Sequence, residues 1–321
     1  MISPYFSVII PVYNRPQEVR EVLSSLVNQQ FKDFEIIIVE DGSSVKCEAV
    51  VDLFRDQLKI SYYYKPNSGP GPSRNFGFKH AKGKYFVVFD SDCILPNHYF
   101  NAVVKALETE QYDAWGGPDQ AHEDFTIKQR AMGYTMSSVL TTGGIRGGKK
   151  RIGWFQPRSF NMGISRTVFE RTQGFKFDRH AEDIEFSIRM KNEGFKVGLI
   201  PDAYVYHKRR LNFSQFYDQV YYFGKGRVLV GRAHPGEVKL THWFPAVFLL
   251  GSLSLLLLPF ISLTLAIIGI ALFACYLLAV FTHSLIQNKN LAVAIYSVPA
   301  ALYQMYGYGW GFLSEQLRSG R

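Results

Sequence analysis

The sequence predicts an α/β fold, a mostly parallel sheet flanked by helices, followed by C-terminal α-helical membrane segments. Three observations predict it. Short apolar runs alternate with helix-like segments at the rhythm of a doubly wound sheet. Carboxylates stand where several of those runs end. No Asp, Glu, Lys or Arg occurs in 240–288.

The first run, Phe6-Ser7-Val8-Ile9-Ile10-Pro11-Val12, reads as a strand buried on both faces; a turn at Tyr13-Asn14-Arg15-Pro16 follows. A helix over 17–28 places Val19, Val22, Leu23 and Leu26 on one face. The run 34–39 is a second buried strand and ends in Glu40-Asp41-Gly42-Ser43-Ser44. A third strand is read at 60–64, a short helix at 73–80 and a fourth strand at 85–89. That fourth strand runs straight into Asp90-Ser91-Asp92-Cys93. Ligands of parallel sheets gather at the carboxyl ends of strands, and residues i and i+2 of an extended chain face one side. Asp90 and Asp92 therefore read either as a solvated turn or as two oxygen donors for a hard divalent cation.

The glycine and proline turn 66–75 reads as a plain loop or, with Ser73 as cap and Arg74 beside it, as an anion site at a helix start. It has neither P-loop nor dinucleotide-fingerprint spacing. After a helix at 96–108, the stretch 141–151 carries four glycines and four basic residues, which reads as an inert linker or a lid. The run 160–165 reads as a strand and 183–192 as a helix. At the start of that helix, Glu182 and Asp183 either complement its dipole or supply a general base.

Lys and Arg number 36 against 27 Asp and Glu, a surplus that favours anionic partners. The three cysteines, Cys47, Cys93 and Cys275, lack the spacing of a zinc site or disulfide framework and fit a reducing compartment. The start of the chain has no signal-peptide pattern, so the N-terminal part is expected in the cytoplasm. The segment 207–240 has seven basic residues and two acids interleaved with aromatics. That composition suits RNA or an anionic membrane surface, and the charge-free run beyond it favours the membrane. The run is too long for one crossing of a core about 30 Å thick. Pro259 divides it into two expected helices, 243–258 and 260–281, and 291–313 is a third apolar segment that either crosses or lies at the interface.

Ser7 to Asn14, Val39-Glu40-Asp41-Gly42-Ser43, Asp90-Ser91-Asp92 and Glu182-Asp183, in this order, closely resemble the family 2 inverting glycosyltransferases of the GT-A fold, over 6–208. The basic segment with Tyr222-Phe223-Gly224-Lys225-Gly226-Arg227 and the apolar tail resemble the membrane-anchored, succinoglycan-type bacterial exopolysaccharide transferases. The resemblance implies a glycosyltransferase domain at 1–206, a basic aromatic interfacial segment at 207–240 and membrane helices at 241–321, at the cytoplasmic face of the inner membrane. It implies Pro11 and Tyr13 along the nucleotide base, Asp41 on base or ribose, Arg74 near base or phosphates, and Asp90 on ribose or a metal-bound water. Asp92 is implied as the direct ligand of Mn²⁺ or Mg²⁺, with Asp90 and His207 as further metal-site residues. Asn161 and Glu182 are expected at the sugar, and Asp183 as the catalytic base. The Gln-x-x-Arg-Trp signature of processive synthases is absent, which favours transfer of single sugars. The expected donor is a nucleotide sugar with uridine as base, the acceptor a polyprenyl-linked glycan, with membrane lipids as partners and no nucleic acid. The alternative is a non-catalytic membrane scaffold of a glycan-assembly complex.

Overall fold

A computed structural model describes residues 3–120, 125–143, 154–207 and 212–318. The chain forms two compact units, 1–122 with 155–208, and 123–154 with 209–321. The excursion 123–154 thus groups with the C-terminal helices, although it lies between strands of the first unit in sequence. Most of the basic, glycine-rich stretch read as a linker or lid, 144–151, lies outside the described residues, as do 208–211 of the basic segment.

In the first unit, strands β1 (Phe6–Val12), β2 (Phe34–Asp41), β3 (Ile60–Lys65) and β4 (Tyr85–Phe89) are parallel neighbours. The seven-stranded order is β3-β2-β1-β4-β8-β6-β9. A second sheet of three strands has the order β5-β10-β7, from β5 (Cys93–Ile94), β7 (Asp119–Gln120) and β10 (Val205–His207). β8 (Asn161–Ser165) runs antiparallel to both β4 and β6 (Ala114–Gly116), and β9 (Val197–Leu199) is parallel to β6. The sheet is mostly parallel, as read from the sequence. The reversal at β8 is not legible there, because apolar runs carry no sign of direction.

Alternate residues of the strands serve two cores. Phe6, Val8, Ile10 and Val12 pack with Val19, Val22, Leu23 and Leu26 of helix α1 (Pro16–Val27), while Ile9, Ile37, Val39, Phe86 and Val88 face the opposite core with Phe78, Phe186 and Met190. Helices α2 (Glu48–Asp52), α3 (Pro70–His80) and α4 (Tyr99–Glu110) follow. α3 starts three residues before the expected start and not at Ser73. Gly69 takes φ +102°, Pro70 stands in the first turn, where a missing N–H costs nothing, and the Ser73 hydroxyl donates to Gly69 O at 2.8 Å from inside the helix. Later helices of this unit are α7 (Arg166–Thr172) and α8 (Glu182–Asn192), numbered after α5 (Ile127–Ser137) and α6 (Val139–Thr142) of the other unit.

The second unit is helical: α5 and α6, then α9 (Phe213–Ala233), α10 (Phe244–Ser254), α11 (Leu258–Ile261), α12 (Leu263–Asn288) and α13 (Leu291–Arg318). α9 and α13 touch backbone to backbone. A Cβ on Gly311 would lie 2.0 Å from Tyr221 O, and one on Gly224 would lie 2.2 Å from Tyr308 O. The buried Glu315 carboxylate accepts from Arg232 Nη1 at 2.9 Å and lies 3.4 Å from Lys225 Nζ. The expected 243–258 helix is instead α10, ending at Ser254, and the bend precedes Pro259. A proline ring obstructs the carbonyl four residues before it, so the regular helix stops about one turn early. Among the described residues, α12 is the one helix long and apolar enough to cross a membrane.

Candidate active site

The carboxyl ends of β1, β2 and β4 open on one side of the first unit, where the sequence places its acids. Asp92 follows β4 and is largely buried, with a side chain 11% exposed. β10 pairs antiparallel with β5 in a register that sets His207 opposite Cys93. That register brings His207 Nε2 to 3.1 Å from Asp92 Oδ1. The imidazole is stacked on Phe160, with ring centroids 4.7 Å apart. Arg15, in the turn after β1, donates from Nη1 to Asp92 Oδ2. Burial alone would raise the Asp92 carboxyl, but the bond and charge of His207, and then those of Arg15, hold it well below the usual carboxylate range.

Donor atoms of Asp92, Cys93 and His207 lie within 4.8 Å of one another. Asp92 Oδ1 is buried and accepts no well-aligned hydrogen bond from the described residues. A carboxylate oxygen beside an imidazole nitrogen suits a divalent cation such as Mn²⁺. Cys93 fits less well. Burial foremost, then Asp92 and Asp90, pushes its thiol well up, and its Sγ lies 3.4 Å from Phe160 O. Its soft sulfur is also a poorer match than oxygen or imidazole for Mn²⁺ or Mg²⁺.

Asp90 belongs to a different chain of charges. Arg74, fully buried in α3, donates from Nη2 to Asp90 Oδ1 at 2.7 Å and from Nη1 to Glu182 Oε1 at 2.8 Å. One guanidinium thus ties the end of β4 to the start of α8. Burial pushes the Glu182 carboxyl up to about 7; Arg74 opposes the rise and the charge of Asp183 adds to it. Asp183, next in sequence, is more open. Its Oδ1 accepts from the Ile184 N–H at 2.8 Å, and its Oδ2 lies 3.4 Å from Arg158 Nη1.

Two residues expected at the sugar are held by the protein's own groups. Asn161 is wholly buried in β8; its Oδ1 accepts from Tyr99 OH at 2.6 Å and its Nδ2 donates to Ala203 O at 2.8 Å. Both ends of that amide are used, so the side chain braces the sheet. Glu182 faces Arg74 in place of open space. Asp41 at the end of β2 accepts from the N–H groups of Ser68 and Gly69, each at 2.9 Å, and from Lys65 Nζ. It clamps the glycine and proline turn, and these bonds outweigh burial to hold its carboxyl below the usual range. Pro11 is half-buried in β1, and Tyr13 just beyond it is 54% exposed.

Sequence reasoning passed over several residues that hold this edge together. Asn14 adopts φ +54° and accepts at Oδ1 from the Ser44 hydroxyl and the Val45 N–H, both at 3.0 Å, which fastens the turn after β1 to the loop after β2. Glu40 is fully buried and accepts from Ser43, from the Cys47 N–H at 2.7 Å and from Tyr62 OH at 3.2 Å. An acid one residue inside a strand end was the available signal for Glu40. For Arg15 and Arg158, whose partners are 77 and 25 residues away, there was none.

A strand-edge cluster of acids and bases on a doubly wound sheet is the architecture of a ligand-handling α/β protein. Residues 7–172 match the model of glycosyl transferase family 2. The chain belongs to that family, a family of transferases, and has its GT-A type of fold. Relatives include glycosyltransferases named as uncharacterized from Rickettsia felis, 37% identical over 106 residues (33% of this chain, 18% of that protein), and Rickettsia typhi, 42% identical over 107 residues (32% and 33%). The poly(ribitol-phosphate) beta-N-acetylglucosaminyltransferase TarS of Staphylococcus aureus is 37% identical over 91 residues, 27% of this chain and 16% of its own length. These matches span a third or less of the relatives' lengths. Among solved structures, the mannosyltransferase PcManGT of Pyrobaculum calidifontis, in complex with GDP-Man and Mn2+, superposes with a TM-score of 0.65 at 17% identity, covering 95% of this chain and 88% of that one. S. aureus TarS 1-349 in complex with UDP gives 0.52 at 18% identity, covering 98% and 92%.

Proposed function

We propose that this chain transfers a single sugar, with inversion, from a nucleotide diphosphate sugar to a hydroxyl of a lipid-linked glycan at a membrane surface, in cell-surface polysaccharide synthesis. The observation that carries the reading is the ion pair of largely buried Asp92 with His207, Nε2 3.1 Å from Oδ1, beside the chain Asp90, Arg74, Glu182 and the more open Asp183. Asp92 and His207 would hold the divalent cation, with Asp90 nearby; when bound, such a cation supplies positive charge against the departing diphosphate. Arg15 and Arg74 keep the acids in place and add positive charge at the same edge. Pro11 and Tyr13 would flank the base, and Asp41 fixes the turn against which the nucleotide lies. Asp183 is the general base: its carboxylate takes the acceptor hydroxyl proton as the oxygen attacks the anomeric carbon from the face opposite the leaving group. UDP and UDP-GlcNAc bound in TarS structures favour uridine, and GDP-Man bound by PcManGT keeps guanosine in the test. The charge-free helices would anchor the chain to the lipid surface that carries its acceptor.

The test is a panel of UDP- and GDP-sugars with Mn²⁺ or Mg²⁺, measuring nucleoside diphosphate release with and without a polyprenyl-linked acceptor. Acceptor-dependent release that Asp183→Asn abolishes supports the reading. If no donor turns over, and Asp183→Asn still complements glycan synthesis in cells, the scaffold reading replaces it.

A further inference from the structure

We propose that 240–288 forms a re-entrant hairpin, which enters and leaves a lipid bilayer through one face and keeps its bend, 255–262, within the hydrocarbon. The inference rests on the membrane anchorage proposed above and specifies its form. The two legs are antiparallel and close: Phe248 of α10 packs on Phe273 and Tyr276 of α12, with centroids 5.7 and 5.0 Å apart. Nearer the bend, a Cβ on Gly269 would meet Leu255 at 2.5 Å. Both feet rest on α13. Trp243 packs on Phe312 at 4.7 Å, and the Ser284 and Ser297 hydroxyls lie 2.8 Å apart. α13 therefore runs across the open end of the hairpin.

The bend is built for a medium without water. Its side chains Leu256, Leu257, Phe260, Ile261 and Leu263 are between 65% and 88% exposed. Four of its backbone N–H groups are satisfied locally: those of Leu256, Leu257, Phe260 and Ser262 bond to Leu253, Ser254, Leu257 and Leu258 carbonyls. Ser262 Oγ accepts from the Leu265 N–H at 3.4 Å, and the hydroxyls of Ser252 and Ser254 donate back to Leu249 and Gly251 carbonyls. Hydrocarbon demands such internal satisfaction. A hairpin that crossed fully would place its bend among the opposite headgroups, where aromatic and basic anchors gather. This bend has no Trp, Tyr, Lys or Arg. The first leg, 244–261, reaches about 27 Å even as an unbroken helix, short of a core about 30 Å thick, and the 26-residue α12, about 39 Å long, must tilt for the bend to stay within that core. Charge lies only at the feet. Among the described residues of the second unit there are eight Lys or Arg and three acids, none within 240–288, and Lys239 and Lys289 bracket the hairpin. Lysines at both ends of an apolar hairpin complement an anionic lipid surface.

The experiment uses the full chain with Cys275→Ser, since Cys47 and Cys93 are buried, in membrane vesicles sealed in both orientations. Single cysteines are placed by Lys239→Cys, Lys289→Cys, Arg318→Cys and Phe260→Cys, with Ser262→Cys as a second bend probe, and treated with a membrane-impermeant maleimide. The first three are expected to react from one and the same face. The bend cysteines are expected to react at least tenfold less from either face and to react fully once detergent is added. Reaction of either bend cysteine from the far face, or of position 318 from the face opposite 289, overturns the re-entrant form. Release of the chain from vesicles by alkaline carbonate overturns the anchorage beneath it, and neither result bears on nucleotide release by the detergent-solubilised enzyme.

Discussion

Among the described residues, Arg74 is the one cation paired with both the partly exposed Asp90 and the buried Glu182, so removing it leaves the buried acid without its counter-charge. Arg74→Ala is expected to cost about 3–5 kcal/mol in chemical denaturation. Glu182 adds a pH signature. Its carboxyl is raised in the fold, to about 7, above its ordinary 4.5. The folded chain therefore holds the proton more tightly than the unfolded one between those values. The corresponding stability is fully present below pH 4.5, declines as pH rises and is lost above about 7. Glu182→Gln should remove that decline, so the variant gains on the wild type by up to roughly 3 kcal/mol between pH 4.5 and 7. Asp183→Asn should keep the fold, with melting within a degree or two of wild type, and lower transfer about 10²–10⁴-fold, the range general bases supply. Asp90 was legible in the sequence because it ends an apolar run, and Glu182 and Asp183 because they open a helix. Which one is buried was not, since that depends on Arg74 from 108 residues earlier.

At the scale of elements, small residues decide where helices meet. Gly311→Ala should destabilise the full chain by about 1–3 kcal/mol, because the added carbon meets the Tyr221 carbonyl, and a backbone oxygen cannot turn aside. Gly251→Ala, whose added carbon meets nothing within 4 Å, is the control and should melt as the wild type does in the same detergent. The alternation of strands and helices in the first unit was readable because burial on both faces of a parallel sheet writes itself as continuous apolar runs. The two- and three-residue strands β5, β7, β9 and β10 were not, since segments that short have no period to detect. Pro259 correctly announced a break, but its position shifted by a turn because a proline disturbs the helix before it.

For the whole molecule, ligand linkage gives the broadest check. Mn²⁺ with a nucleoside diphosphate at a hundred times its dissociation constant should stabilise the chain by about 2.7 kcal/mol. Asp92→Asn or His207→Ala should remove the Mn²⁺-dependent part of that gain, read by thermal unfolding with and without chelator. The apolar stretch 240–288 was legible from composition alone, whereas the grouping of 123–154 with the C-terminal helices was not, because contacts between distant segments leave no local pattern. The pairing of β10 with β5 carries a consequence for how the protein comes into being. His207 reaches Asp92 through a two-residue ladder that joins positions 115 apart in sequence. Long closures form late, and a slip of one residue would turn Tyr206 to the site in place of the imidazole. Competence to bind the cation should therefore arrive at the end of refolding, after the central sheet has formed, and a ribosome must release most of the first unit before the site can exist.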